Sequence, residues 1–285
     1  MRHALYAGLL AVLATSVVGT WVVLRGMSFL GDALAHGVLP GVAVAFILGV
    51  DTTWGALAAA LVMAGGINVI RACSPLPDDT SIGVLFVGFL ALAVVIMSSR
   101  SGFYTGDLNR FLFGSITGVD AGDLRTQAVA ALISLVGVAV FHRALLAMTF
   151  DEAQARVLGL RPQLAHGALL VLLAVSIVAS FEVVGNLLVF AFLIAPPATA
   201  TLLVRRVPRI MATAVGLGSF AVVVGLLISY HHGTAAGATM ALVAVTVFVA
   251  TLFGRAAVRA GARVRAGAAV RPGLARPKGF EPPTF

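Results

Sequence analysis

Two side chains with metal-binding chemistry stand four residues apart in an otherwise apolar run. Asp32 and His36 lie within the segment 27–43. Residues i and i+4 share one face of an α-helix, so the carboxylate and the imidazole would point in the same direction. Oxygen and nitrogen ligands of this kind suit Mn²⁺, Zn²⁺ or Fe²⁺, and the pair would supply half of a coordination site. Ionisable side chains inside an apolar segment indicate a cavity or a pathway.

A structural explanation of the same pair is also open. Asp32 follows Gly31 and would satisfy backbone N–H groups if a helix began there, and His36 would then lie at the level of the lipid headgroups. Pro40 and Gly41, just beyond, would loosen the helix. The spacing alone does not choose between a ligand pair and a helix start.

The elements that carry this pair are expected to be membrane spans. The 285 residues are 60% hydrophobic and only 11% charged, whereas a soluble domain is about half apolar and a quarter charged. A soluble core could not bury so much apolar surface, which excludes an ordinary soluble enzyme. The sequence predicts an all-α, polytopic transmembrane bundle of about nine helices, each of ~20 residues. We place them at 4–24, 33–50, 53–70, 81–98, 125–141, 163–181, 183–204, 210–229 and 236–254.

The charges predict how these spans are oriented. The chain has 19 Lys+Arg against 11 Asp+Glu, and the basic residues fall between apolar runs, a pattern typical of membrane topology rather than of nucleic-acid binding. With nine spans, the arginine-rich loops share one side, so we expect the N-terminus outside and the C-terminus in the cytoplasm. These loop residues are Arg25, Arg71, Arg143, Arg156, Arg161, Arg205, Arg206 and Arg209.

The basic C-terminal tail and one central segment stand apart from the spans. Residues 1–254 are expected to form the transmembrane domain. Residues 255–285 are rich in Arg, Ala and Gly, and are expected to form a cytoplasmic tail that is disordered or lies on anionic lipid. The mixed segment 99–122 is expected to be interfacial or re-entrant.

The sequence lacks the parts that would let it power transport by itself. No Gly-x-x-x-x-Gly-Lys-Ser/Thr motif is present, and Lys278 is the only lysine. ATP hydrolysis by the P-loop route would therefore need a separate subunit. Cys73 is the only cysteine, so neither an internal disulfide nor a permanently bound haem or structural zinc is expected.

A short amphipathic segment follows the fifth predicted span. Asp151, Glu152 and Arg156 interleave with apolar residues that begin at Phe150, and Gly159 supplies a stop. In a cytoplasmic loop, such a helix suits docking into a groove of an ATPase and passing on a rigid-body movement. The alternative is a helix that lies on lipid, against which its low basic content argues.

Three further features have both a functional and a structural explanation. Pro196 and Pro197 lie deep in an apolar helix, where they would form either a bend that shapes a pathway or a packing kink. Glu182 and Asn186, four apart at the outer end of the same predicted helix, would meet a cation or a partner protein, or would cap the helix. His231 and His232, in a predicted outer loop, would collect metal or simply be solvated.

Four motifs in order resemble those of a known family. The segment 31–41, GDALAHGVLPG, closely resembles the signature of the permeases of manganese/zinc/iron-type ATP-binding-cassette importers. Residues 112–115 followed by Asp123 and Leu124 are similar to its mid-chain loop, and 150–160 to its coupling helix. Residues 183–200 are similar to a helix ending in Pro-Ala-Ala-Thr-Ala, from which Pro197 departs. The resemblance covers residues 5–254.

The resemblance implies both a function and a set of partners. It implies the permease subunit of an importer for a divalent transition metal, in the bacterial cytoplasmic membrane. The implied partners are a second copy of the chain, ATP-binding-cassette ATPase subunits and an extracytoplasmic metal-binding protein. It also implies that Asp32 and His36 contact the passing ion, which is the transported substrate.

Two other functions compete with this interpretation. A secondary metal transporter driven by an ion gradient would work alone and would need a relay of several buried acids. Only Asp32 and Glu182 qualify in this sequence. A purely structural membrane scaffold would need neither paired ligands nor a docking helix.

Overall fold

In a computed structural model, the chain is a bundle of helices. The structure describes residues 2–74, 77–99 and 119–270, and every regular element within these ranges is an α-helix. The all-α prediction is therefore confirmed. The helices are α1 (Arg2–Leu24), α2 (Ser28–Gly37), α3 (Leu39–Leu48), α4 (Thr52–Cys73), α5 (Asp78–Ser98), α6 (Ala121–Phe150), α7 (Glu152–Val157), α8 (Pro162–Val184), α9 (Asn186–Leu203), α10 (Val207–His232) and α11 (Ala236–Val270).

The number of spans agrees closely with the expected nine. Over the described ranges, eight helical stretches are long and apolar enough to cross a membrane, with α2 and α3 together making one of them. The segment Leu188–Leu203 of α9 is a shorter apolar helix, and it corresponds to the span predicted at 183–204. The side on which each terminus lies stays a prediction.

Two of the predicted span starts differ from the observed helix starts because of a nearby glycine. The span predicted at 33–50 begins at Ser28, directly after the turn at Gly26, whose φ is +70°. The span predicted at 183–204 begins at Asn186, because Gly185, with φ +83°, separates it from α8. A φ in that range favours glycine and interrupts a right-handed helix.

Side-chain caps fix the starts of two long helices. The Asp120 carboxylate accepts hydrogen bonds from the backbone N–H groups of Gly122 and Asp123, at 2.7 and 2.9 Å, so α6 begins four residues before the predicted 125. Asp51 caps α4 by accepting from the Thr53 N–H at 2.8 Å. Hydrogen bonds from the side chain and backbone of Thr53 lower the pKa of Asp51 below its ordinary value.

Helix α1 is the centre of the bundle. It packs against α6, α8, α9 and α10, and its residues from Ala14 to Val22 are all buried. A side chain at Gly19 would collide with the backbone carbonyl of Leu193, so the two backbones touch where α1 meets α9. Small residues permit this close approach of membrane helices.

Helices α2 to α5 form a second group beside this centre. Where α3 crosses α4, Gly41 and Gly55 face each other so closely that a Cβ on either would meet the other's backbone. Helix α4 also packs on α8, and α2 packs on α5. The group therefore holds α2 between α5 and the central helices.

The C-terminal helix continues beyond the last predicted span. Helix α11 runs to Val270 without a break at 255, so this part of the basic tail is helical in the structure. The change at 255 is one of composition, not of backbone conformation. The division into a domain at 1–254 and a tail at 255–285 stays a prediction.

Candidate functional site

Helix α2 presents Asp32 and His36 on one face. The helix begins at Ser28 with Met27 as its N-cap residue, so Asp32 lies inside the helix, and the explanation of Asp32 as a helix start does not apply. The His36 Nε2 atom lies 3.5 Å from an Asp32 carboxylate oxygen. The two side chains are 28% and 33% exposed respectively, so both are accessible from the surface of a single chain.

A break in the helix lies directly beyond His36. Helices α2 and α3 form one span, Ser28–Leu48, and the turn at Val38 falls at its middle. Pro40 has no N–H to donate to the carbonyl of His36 four residues earlier, and that carbonyl accepts from the Val38 N–H instead. With a rise of ~1.5 Å per residue, Asp32 and His36 lie about 6 and 12 Å from Ser28.

Close packing on three sides fixes the orientation of α2. Gly31 contacts α9, where a Cβ would collide with the Leu193 side chain, and Gly37 contacts Met63 of α4 in the same way. On the third side, the ring of Phe86 in α5 lies 6.0 Å from the His36 ring, measured between centroids. The two glycines of the motif therefore hold the helix that presents the pair.

By themselves, these two side chains do not complete a metal site. Among the residues that the structure describes, no group of three or more His, Cys, Asp or Glu side chains is placed to hold a metal ion. Zn²⁺ is generally bound by at least four ligands. A complete coordination shell therefore needs ligands beyond these two side chains.

The predicted amphipathic segment forms a short helix with defined ends. The Asp151 carboxylate accepts from the Ala153 N–H at 2.9 Å at the start of α7. At its end, Gly159 has φ +72°, and the Leu160 N–H donates to the Ala155 carbonyl at 3.1 Å. This is the hydrogen-bond pattern of a Schellman motif, which confirms Gly159 as the stop.

The apolar residues of this segment do not share one buried face. Ala155 is fully buried against the bundle, whereas Phe150 is 77% exposed, Val157 86% and Leu158 66%. Large apolar side chains grouped on a surface mark a contact site for protein or lipid. The segment thus presents apolar side chains outward, as a docking helix would.

Two contacts between distant residues lie near this segment, an ion pair of Glu152 and a hydrogen bond between Arg25 and His166. Glu152 accepts from Arg71 of α4 and from Arg156, each at 3.0 Å. Arg25, beyond the end of α1, donates to the Nδ1 atom of His166 in α8 at 2.7 Å. The sequence predicts an interfacial His166, whereas its side chain is buried. Sequence reasoning missed both long-range contacts, because the partners stand 81 and 141 residues apart. The grouping of Arg25, Arg71 and Arg156 at one end, which the charge pattern predicted, is present.

Pro196 and Pro197 lie buried within α9. Their missing N–H groups leave the carbonyls of Phe192 and Leu193, four residues earlier, without helical partners. Helix α1 covers both of these carbonyls: the Ser16 hydroxyl donates to the first at 3.4 Å, and Gly19 packs on the second. Both carbonyls that the prolines leave without a helical partner are therefore covered by α1. This holds whether the prolines shape a pathway or form only a packing kink.

We expect Gly19→Ala to destabilise the protein. Its Cβ would collide with the Leu193 carbonyl, and overpacking of this kind costs about 1–3 kcal/mol. Thermal unfolding of the purified protein measures the effect. The matched control is Gly65→Ala, since that helical glycine has no atom within 4 Å of an added Cβ. Equal midpoints for the two variants would contradict the proposed close contact.

The remaining predicted positions are only partly brought together. Glu182 lies in the last turn of α8 and Asn186 begins α9, so the prediction that they share one helix was wrong; their side chains lie outside the described residues. His231 and His232 form the last turn of α10 rather than a loop, and the His231 Nδ1 atom lies 2.9 Å from the Leu227 carbonyl oxygen. The segment 112–115 and most of 99–122 lie outside the described residues.

Comparison with known proteins identifies the family. The model of the "ABC 3 transport family" matches residues 1–255. The chain belongs to the ABC 3 transport family. It is 35% identical to the "Manganese transport system membrane protein MntC" of Listeria monocytogenes over 254 residues, which cover 89% of this chain and 90% of that protein. It is 32% identical to the "Chelated iron transport system membrane protein YfeD" of Yersinia pestis over 252 residues, covering 88% and 84%.

A solved structure agrees with this family assignment. "PsaBC from Streptococcus pneumoniae in complex with Fab" is similar to this chain, with a TM-score of 0.77 and 34% identity, over 88% of this chain and 90% of that one. The resemblance seen in the sequence motifs is thereby confirmed. This ABC 3 chain is a multi-pass permease subunit of the bacterial cytoplasmic membrane, and ATP is hydrolysed by a separate subunit.

Proposed function

We propose that this ABC 3 chain forms, with a second copy of itself, the pathway of an ATP-driven importer for a divalent transition-metal ion. The observation that supports this most directly is the Asp32–His36 pair, whose atoms approach to 3.5 Å on a partly exposed face. The pair lies within a span that is interrupted at Val38. Transporters commonly bind their substrates beside such interrupted helices, near the middle of the bilayer.

Two copies would supply what one lacks. Each chain contributes a carboxylate and an imidazole, so two facing copies would offer four ligands. These would replace part of the hydration shell that a divalent ion loses in the membrane. The ligands are expected to hold the ion only moderately, because an ion that is bound too tightly cannot leave. Manganese, zinc and iron all accept this ligand set.

The proposed cycle links this site to ATP through α7. A metal-binding protein delivers the ion from outside, and the two permease copies open towards it. Closure of the ATPase subunits on ATP then displaces α7, whose exposed Phe150, Val157 and Leu158 contact them. The movement switches access of the ion site to the cytoplasm.

The names of relatives leave the metal open, since one names manganese and another chelated iron. The ABC 3 assignment argues against the alternative of a transporter that works alone on an ion gradient. Among the described membrane-spanning segments, Asp32 is the acid that lies well inside a span. The proposed import is therefore driven by ATP hydrolysis in a separate subunit and not by an ion gradient.

Reconstituted transport tests the proposal. We expect the chain to co-purify with an ATPase subunit and, in proteoliposomes that also contain the metal-binding protein, to import radioactive Mn²⁺ only when ATP is present. Competition by Zn²⁺, Fe²⁺ and a chelated iron then ranks the substrates. Uptake that follows an imposed ion gradient without ATP would overturn the proposal in favour of the secondary transporter.

A further inference from the structure

A polar cleft lies between α7 and the ends of α4 and α8. It has a volume of about 310 Å³ and is lined by Asn68, Arg71, Glu152, Arg156, Gln163, Leu164 and His166. The amphipathic pattern of the segment 150–160 does not account for this cavity. Arg156, in the wall of the cleft, directly precedes the exposed apolar residues Val157 and Leu158 in the sequence.

Positive charge exceeds negative charge in the walls of the cleft. Among the described residues that line the cleft, Glu152 is the one acid, and both of its oxygens are engaged, one by Arg71 and one by Arg156. Arg25 adds a third guanidinium behind His166. The lining residues thus carry two guanidinium groups against one carboxylate, which leaves the cleft with donors and positive charge in excess.

His166 supplies a donor that has no acceptor. Its side chain is buried, with only 2% exposed. Arg25 always donates, so the Nδ1 atom of His166 accepts, and the neutral imidazole carries its proton on Nε2. That Nε2 atom has no hydrogen-bond partner among the described residues. A buried donor without a partner is unfavourable, and a bound acceptor would satisfy it.

The first turn of α8 adds further donors. Gln163 and Leu164 line the cleft and lie in that turn, where the backbone N–H groups have no helical acceptor. The N-cap residue, Arg161, makes no side-chain capping bond. A helix N-terminus favours a negative charge. Guanidinium, imidazole and backbone donors therefore surround the same small cavity.

We propose that this cleft receives the carboxylate of an acidic side chain from the ATPase subunit that docks on α7. The inference rests on the proposed function, because it takes the ATPase to be the partner of α7. The cleft and the exposed apolar residues of 157–158 would then form one continuous surface, the apolar part giving contact area and the cleft giving a charge-specific anchor. A carboxylate is favoured by charge complementarity, and the anchor would fix the register of docking.

The affinity between the purified permease, in lipid nanodiscs, and its ATPase subunit tests the proposal. Arg156 is 64% exposed, so Arg156→Gln is expected to fold normally and to weaken binding about tenfold at low salt, with less effect at high salt. Arg161→Gln removes the same charge nearby without touching the cleft, and is expected to change the affinity less than about twofold.

Glu152→Gln separates a docking site from a merely structural ion pair. If Arg156 binds a partner carboxylate, then neutralising Glu152 releases Arg156 from its ion pair and binding tightens about threefold. If the arginines serve only to hold α7 in place, Glu152→Gln and Arg156→Gln weaken binding alike, and the proposal is overturned. An equal effect of Arg161→Gln, or an unchanged affinity of Arg156→Gln, overturns it as well.

Further results show whether the inference fails alone or together with the proposed function, and whether the cleft binds a lipid instead. If Arg156→Gln loses bound phosphatidylglycerol but keeps its affinity for the ATPase, the cleft binds a lipid headgroup, and the proposal is wrong. A wild-type chain that binds no ATPase subunit overturns the proposed function and this inference together. Wild-type binding without any effect of Arg156→Gln overturns the inference alone.

Discussion

Alanine in place of Asp32 or His36 is expected to reduce metal uptake below about 1% of the wild-type rate. Each residue is partly exposed and lies on one accessible face of α2, so neither is needed to fill the core. Each would supply a ligand to an ion that has lost much of its water, and a two-decade loss corresponds to only about 2.8 kcal/mol of binding free energy. ATP-dependent uptake of Mn²⁺ by proteoliposomes measures the effect.

The controls show whether uptake falls because a metal ligand is missing or because the protein is misfolded. Membrane insertion should be unchanged and thermal unfolding should change little in both variants, since both side chains are partly exposed and the ring that His36 contacts, that of Phe86, is itself only partly buried. His231→Ala makes the same chemical change at the exposed end of α10, and we expect it to keep most of the uptake. Normal uptake by both Asp32→Ala and His36→Ala would show that neither side chain is a ligand of the transported ion.

Local spacing and composition predicted the shared helix face of Asp32 and His36 and the approximate positions of the spans, each for a physical reason. Asp32 and His36 stand one helical turn apart, so their neighbourhood follows from the period of the helix. The apolar runs must match the thickness of a bilayer, so their number and approximate positions follow from composition. The stop at Gly159 was likewise visible, since glycine adopts the positive φ that a helix end requires.

The contacts that were not predicted join residues distant in the sequence. His166 is one polar residue near the start of a span, and nothing local indicates that Arg25 donates to it across 141 residues. The contact between Gly19 and Leu193 depends equally on how α1 and α9 cross. At Gly185 the sequence predicted a continuous helix where the structure has a break. An apolar run gives no sign that a residue with a positive φ divides it.

Replacing Gly159 by proline is expected to uncouple ATP hydrolysis from transport. Gly159 has φ +72° and its N–H donates to the Arg156 carbonyl at 3.0 Å, whereas proline requires φ near −65° and has no N–H. The end of α7 would unwind and Val157 and Leu158 would lose their positions. We expect ATP-dependent uptake to fall at least tenfold, while the loaded binding protein no longer stimulates the ATPase.

The matched control places the same change at another helix end. Gly233 ends α10 with φ +62° and has no atom within 4 Å of an added Cβ. By the alternation of spans, it lies at the opposite end of the bundle from α7. Gly233→Pro should therefore disturb one helix terminus without reaching the ATPase surface, and stimulation should persist. Stimulation of Gly159→Pro to the wild-type level would show that force passes into this permease through a different surface, because α7 would then be dispensable for coupling.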